Sequence, residues 1–514
     1  MATDGYRTMR SVLAANAARI PDKLYMYAID QDKKLTFADL HGLTSRMAHV
    51  LRDRGIKAND RVLMLSENSI EFVSTFLGVI RYGATIATAN VEMNRAHLAE
   101  IVRAVAPKLV LIQEGLGLEA LRDPADKAEW MTLGDWSEAG GSTGFFAAVA
   151  AASDSDDVPE VCGPDDIAVI FYTSGTEAKP KGVLQTHSAV WHNFDATADC
   201  VELTESDRVL DCRSYTWLSA QNMSLGGPLL RGATVYMAKH FSRSRWFDWV
   251  KRYRITMGVA VPTILNMFLN EPVDVQGRDV PHLKFIMTSS APMLPEQWQR
   301  FEEQYGILVC QSAGCSEGGL MCSHRGRNRK IGTIGFPLKY QRLRILDPEG
   351  NALPPGQAGE VVVSGPQKSW GYLHADGRVE KLPETGHRTG DLGVIDRDGH
   401  VSIVGRLKDQ IIRGGVNVSP VEVDNVLAEH PDIVEGAAVG VPHQIYGEEV
   451  VAYVIARPNS GLTADQVRKH CAARLAFFKQ PKEVFFTDRL PKNERGKLDR
   501  KALAEIWKRA HAAA

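Results

Sequence analysis

Cysteine is scarce in this 514-residue chain: seven, at positions 162, 200, 212, 310, 315, 322 and 471, odd in number and without a C-x-x-C pair. That argues against a disulfide framework or a zinc site and fits free thiols in a reducing compartment. A dominant charge is missing as well. Sixty basic residues against 62 acidic ones leave a net charge of −2, so no broad field draws the chain to nucleic acid or to an anionic membrane. Long apolar runs are also absent. The most apolar stretch, FVSTFLGVIRYGATIATA (72–89), carries Arg81 and two glycines and reads as a buried helix running into a strand, not as a membrane span. The N-terminal MATDGYRTMRSVLAANAARIPDK has charges spread through it and no apolar h-region, which speaks against a secretory signal. Three early arginines invite a transit-peptide reading. Asp4 and the helical spacing of Met9, Val12, Leu13, Ala17 and Ile20 favour a packed first helix instead. A cytoplasmic enzyme is the expectation.

What is present is ordinary globular composition, 44% hydrophobic and 24% charged. At ~150 residues per domain the length suggests roughly three folding units. Helical and strand patterns alternate through the first third: a helix over 36–55 ending at Gly55, a strand RVLMLS, a helix EFVSTFLGVIRYG, a strand ATIATA, a helix over 96–106 and a strand KLVLI. This rhythm predicts a doubly wound, mostly parallel sheet. Residues 137–166 turn small, polar and acidic and read as a surface segment joining two subdomains. The strand DIAVIFY then runs into TSGTEAKPKG. Short β-rich runs with turn residues over 356–406 predict a small antiparallel sheet or barrel. The last 110 or so residues read as a separate α+β unit. No internal repeat is visible.

YTSGTEAKPKG (172–182) fails the Walker pattern, with Pro180 and Gly182 in the wrong places, yet keeps its physical content. Thr173, Ser174, Gly175 and Thr176 offer hydroxyls and backbone N–H groups to phosphate oxygens, and Lys179 and Lys181 add positive charge. An exposed polar loop is the competing reading. GCSEG (314–318) satisfies G-x-S-x-G, the nucleophile elbow of α/β hydrolases, with Ser316 as nucleophile; no later histidine is marked as its partner. The His187/His192 pair is spaced onto different faces of a helix, and GLG at 115–117 lacks the third glycine of a dinucleotide fingerprint. HRTGDLG and GRLKDQIIRGG concentrate Asp391, Arg406, Lys408 and Arg413, and LPKNERGKL sets Lys497 in a basic loop.

Taken in order, TSGTxxxPKG, SSAP, G-x-S-E, TGD, GRxKD with GG, and a late GK resemble the signature of the adenylate-forming superfamily, and of its AMP-forming acyl-CoA synthetases, from about residue 10 to 505. The resemblance implies an α/β fold: a large N-terminal adenylation domain (1–406) of doubly wound sheets plus a small β-barrel, and a mobile C-terminal α+β domain (407–514), with a hinge near Lys408. It implies a soluble ligase that takes a small carboxylic acid, ATP, Mg²⁺ and coenzyme A, with no nucleic acid and no membrane span, and that is compatible with a homodimer. An acyl-adenylate forms with loss of pyrophosphate, and a thiol then displaces AMP. By the same resemblance Thr173, Ser174, Gly175, Thr176 and Lys181 hold phosphates, and Thr176 and Glu317 serve the metal. Ser289, Ser290, Ala291, Gly314 and Ser316 line the nucleotide. Asp391 takes the ribose hydroxyls and Arg406 lies beside them. Lys497 bridges acid and phosphate, while Gly414 and Gly415 line the thiol's path. The acid pocket is bordered by Trp217, Ser290 and Gly314.

Three departures stand out. Glu177 and Ala178 replace the usual threonine and glycine of the phosphate loop, Ala313 stands where an aromatic residue usually stacks on adenine, and Trp217 stands where histidine or another aromatic is common. Trp217 would shorten or flatten the pocket and favour a compact, medium-chain, alicyclic or aryl acid. Two other readings stay open at this point: transfer of the acyl group to a carrier-protein thiol, and a Ser316 hydrolase.

Overall fold

The computed structural model describes residues 5–123, 127–137, 140–172, 181–291, 293–492 and 498–512. The helix–strand rhythm of the first third becomes an eight-stranded sheet. Its strands Arg61–Leu65, Thr85–Thr88, Leu109–Ile112, Glu129–Thr132 and Ile167–Tyr172 are parallel. Thr85–Thr88 and Leu109–Ile112 are buried from end to end, and Arg61–Leu65 and Ile167–Tyr172 at all but their first residue, which is why they read as continuous apolar runs rather than alternating ones. The helix Phe37–Asp53 begins where expected, because Thr36 and Asp39 form a reciprocal capping box.

A nine-stranded sheet follows the same logic. Arg208–Asp211, Thr234–Met237, Met257–Ala260, Phe285–Thr288 and Val309–Cys315 run parallel, with antiparallel strands at both edges. Met26 and Val235 of this sheet share one core with Met64, Ile86 and Val169 of the other, joined by Phe37, Phe72 and Phe76 from two helices. The sheets are thus fastened to each other through buried helices.

The polar segment 137–166 departs from expectation. Within it Gly144–Ala151 is helical, and Phe145, Phe146 and Val149 are buried in that common core. Asp156 farther on draws Arg10 and the wholly buried Arg81. The apolar FFAAV run was masked in the sequence by its Gly/Ser/Asp surroundings.

Residues 342–406 supply a four-stranded antiparallel sheet, where a small antiparallel unit was expected. The short strands Gly371–Leu373 and Val379–Lys381 leave it and extend the eight-stranded sheet instead. The C-terminal part is a five-stranded sheet, including the long pair Ile433–His443 and Gly447–Ala456, with helices Pro420–Ala428, Ala464–Ala472 and Arg500–Ala512. It has cores of its own. All seven cysteines are free thiols. Among the described residues no helix is long and apolar enough to cross a membrane.

Candidate functional site

The stretch 173–180, and with it Thr173, Ser174, Gly175 and Thr176, lies outside the described residues; so does Lys497. The flanks of the stretch are defined. Ile167–Tyr172 and Gly182–Thr186 pair antiparallel, with Tyr172 opposite Gly182. A Walker loop joins a strand to a helix; here strand follows strand, a difference consistent with the failed pattern. Lys181, at the second flank, has its Nζ 5.8 Å from the centre of the Tyr372 ring. Tyr372 reaches this position because Gly371–Leu373 pairs with Gly182–Leu184.

GCSEG forms the turn between Val309–Cys315 and Gly319–Ser323, an antiparallel hairpin. A nucleophile elbow needs a strand entering a helix, so the hydrolase geometry for Ser316 is not present. At Gly314 a Cβ would come within 2.5 Å of the Gly319 carbonyl oxygen, so the tight crossing admits only glycine. The turn is clamped from outside. The Ser369 hydroxyl donates to the Ser316 carbonyl at 2.8 Å, and the Ser369 N–H donates to the Glu317 carbonyl at 2.8 Å. The Glu317 side chain is thereby aimed at Tyr372, whose hydroxyl donates to Glu317 Oε1 at 2.8 Å. Burial and the neighbouring carboxylate both raise the Tyr372 phenol far above its ordinary range, keeping it a donor. His387 Nε2 lies 3.9 Å from Glu317 Oε2, and burial lowers the imidazole's pKa despite the nearby carboxylate.

The strand His387–Ile395 carries a second carboxylate. Asp391 stands opposite Arg406 on Val401–Arg406, and the two form an ion pair with Arg406 Nε 2.7 Å from Asp391 Oδ1. Asp391 is mostly buried, whereas 43% of the Arg406 side chain is exposed. One strand therefore ties the Glu317 and Asp391 regions together.

Ser289, Ser290 and Ala291 follow the end of Phe285–Thr288. Ser290 has φ of 76°, a left-handed conformation that is costly for a residue with a Cβ and is concentrated at functional sites. The Ala291 carbonyl accepts from Gln311 Nε2 at 3.1 Å, and Ser289 Oγ lies 3.3 Å from Arg213 Nη1. Arg213 is locked by Asp211 through Nε–Oδ1 and Nη2–Oδ2 contacts of 3.0 and 2.8 Å, and its Nη1 also donates to Ser219 Oγ at 3.1 Å. Trp217 lies within this network's loop, half-buried against the common core.

Gly414 and Gly415, with φ of 58° and 82°, make the turn between Ile411–Arg413 and Val416–Val418. Lys408 falls in the short helical turn Leu407–Asp409, directly after Arg406. Reasoning from sequence missed Ser369, Tyr372, His387 and Arg213. The SWGY string was the available signal for the first two, and the D-x-R spacing for Arg213.

Residues 13–373 match the AMP-binding enzyme family, and 422–497 match the AMP-binding enzyme C-terminal domain. The chain is 34% identical over 511 residues to the oxalate–CoA ligase of Arabidopsis thaliana, covering 97% of this chain and 98% of that protein. It is 32% identical over 504 residues to the sulfoacetate–CoA ligase of Cupriavidus necator, covering 96% and 97%. Its fold superposes on ATP-bound MatB from Rhodopseudomonas palustris with a TM-score of 0.88 at 28% identity, covering 97% of this chain and 99% of that one. A large N-terminal domain and a smaller C-terminal one are common to these structures. The homodimer that the sequence allows draws no support from these relatives.

Proposed function

The chain belongs to the family of AMP-binding enzymes and is an AMP-forming acid–CoA ligase that uses ATP, Mg²⁺ and coenzyme A, and from that premise we propose that it activates a compact or ring-bearing carboxylic acid. The observation that carries this reading is the pinned loop 211–219. Its buried Asp211–Arg213 pair, tied to Ser219 and Ser289, leaves Trp217 little freedom to withdraw for a long chain. Compact acids are named for the oxalate and sulfoacetate ligases, and ring-bearing ones for the indoleacetate–CoA ligase of Aromatoleum aromaticum, 31% identical over 475 residues.

In this reading the 173–176 stretch and Lys181 orient the triphosphate, and Glu317 with Thr176 holds Mg²⁺. A carboxylate suits that hard cation, and Tyr372 fixes its direction. Ser289, Ser290, Ala291, Gly314 and Ser316 form the nucleotide wall, Trp217, Ser290 and Gly314 the acid wall. Asp391, prepositioned by Arg406, accepts from the two ribose hydroxyls. Lys497 neutralises the acid carboxylate and α-phosphate as they meet, so that orientation and charge stabilisation carry the step. A domain division at 406/407 with its hinge at Lys408 brings Gly414 and Gly415 to the thiol's path.

Acid-dependent ATP–pyrophosphate exchange over oxalate, short, alicyclic, aryl and long-chain acids, followed by CoA addition, tests the reading. Exchange and thioester formation are expected with compact or ring-bearing acids. Failure of every acid in the panel to support exchange would remove the proposed function. A preference for long-chain acids would remove the pocket argument. An adenylate that CoA fails to discharge would shift the acceptor to a carrier-protein thiol.

A further inference from the structure

Cys315, Glu317 and His387 each bring one ligand atom, and these three atoms all lie within 4.8 Å of one another. Cys315 ends the strand Val309–Cys315, Glu317 lies in the turn that follows it, and His387 starts the strand His387–Ile395. A thiol, a carboxylate and an imidazole form the donor set of a borderline or soft divalent ion. Mg²⁺ selects oxygen, so the sulfur and nitrogen are surplus to the nucleotide's metal. We infer that Cys315, Glu317 and His387 form a binding site for a zinc-class divalent cation, with a fourth position open to solvent, and that occupancy there inhibits adenylation by taking Glu317.

The geometry is close to what such an ion needs. Tetrahedral metal bonds of about 2.0–2.3 Å set ligand atoms about 3.3–3.7 Å apart, and His387 Nε2 is already 3.9 Å from Glu317 Oε2. The surrounding contacts orient the ligands. Tyr372 donates to Glu317 Oε1, and the Gly318 N–H donates to Cys315 Sγ at 3.1 Å. Ion binding displaces the thiol proton to solvent as the metal–sulfur bond forms. The inhibitory half of the inference rests on the reading of Glu317 given above; the binding half does not.

The test uses the full chain, stripped with a chelator and titrated with Co²⁺ in the absence of nucleotide. One equivalent should bind with a thiolate-to-cobalt charge-transfer band, and Zn²⁺ should abolish that band. Cys315→Ser should lose it, and His387→Phe should bind Co²⁺ at least tenfold more weakly, with metal-free thermal midpoints confirming that both variants fold. If Cys315→Ser does not fold, the His387→Phe affinity decides alone. A band that survives in Cys315→Ser, or an unchanged affinity in His387→Phe, overturns the site. Saturating Mg²⁺·ATP should weaken Co²⁺ binding, and Zn²⁺ should slow exchange in the wild type at concentrations that leave His387→Phe unaffected. Unaltered Co²⁺ affinity under Mg²⁺·ATP overturns the inhibitory role. Because the cobalt titration needs no acid and no turnover, failure of the site and failure of the ligase reading give different results.

Discussion

Two aspartate–arginine pairs serve this molecule in opposite ways. Asp211 and Arg213 are sealed in the interior, with side-chain exposures of 0% and 2%, and meet through two parallel contacts. Ser224 donates to the same carboxylate, Ser219 and Ser289 occupy the remaining guanidinium nitrogen, and Asn68 Nδ2 donates to the Arg213 carbonyl at 2.7 Å. Asp391 and Arg406 sit across an antiparallel rung, joined at 2.7 Å, with Arg406 43% exposed. A buried pair is costly to break, because the surviving charge has no solvent to turn to. A pair with its arginine exposed contributes less, since water reaches the guanidinium while the ion pair is intact. The chemistry of the side chains is the same; the surroundings seal one pair in the interior and leave the arginine of the other open to solvent.

The sharpest way to break that contrast is Asp211→Ala. It leaves Arg213 buried and uncompensated, and chemical denaturation should register a loss of about 3–5 kcal/mol. An apolar double replacement, Asp211→Leu with Arg213→Met, should recover much of that loss, because removing both charges removes the penalty. Equal instability in the double variant would mean that the hydrogen bonds to Ser219, Ser224 and Ser289 matter more than the charges.

Arg406→Ala should behave in the reverse way. The unfolding free energy should fall by about 1 kcal/mol, well short of the Asp211→Ala loss, because the lost guanidinium is solvent-exposed. The KM for ATP in the exchange assay should rise about tenfold, equivalent to ~1.4 kcal/mol, because Asp391 loses the group that orients it. A large stability loss with unchanged ATP dependence would place this pair with the scaffold and undo the comparison.

How much of this was legible beforehand follows from the same physics. Strands buried on both faces write themselves as apolar runs, so the parallel strands at 61–65, 85–88, 109–112 and 167–172 could be read directly. Ordered short motifs singled out Glu317, Asp391 and Arg406, and the structure sets Glu317 in a turn and the other two opposite each other on paired strands. Tyr372 and His387 stayed hidden. Their relation to Glu317 depends on Gly371–Leu373 leaving its neighbours to pair with Gly182–Leu184, and on a strand beginning 70 residues after the GCSEG turn. No local pattern records such a crossing. The buried helix Gly144–Ala151 was missed for a different reason: two phenylalanines were outweighed by small and acidic neighbours.

Tyr372→Phe probes the contrast at its finest grain, because it removes a neutral donor from a charged group while leaving the ring in place. The lost contact is the 2.8 Å hydrogen bond to Glu317 Oε1; the ring beside Lys181 and its packing against the common core are retained. Glu317 is only partly buried, with 22% of its side chain exposed, so water can take over the donor's place. The stability change should therefore stay near 0.5–1 kcal/mol. The carboxylate, no longer held in one direction, should need about threefold more Mg²⁺ for half-maximal exchange, with the KM for the acid unchanged. A shift in the acid's KM alone would move Tyr372 from the carboxylate's support to the acid pocket. A loss of several kcal/mol in stability would instead make the Glu317 region behave like the sealed Asp211–Arg213 pair, and the division between scaffold and exchangeable site would no longer follow exposure.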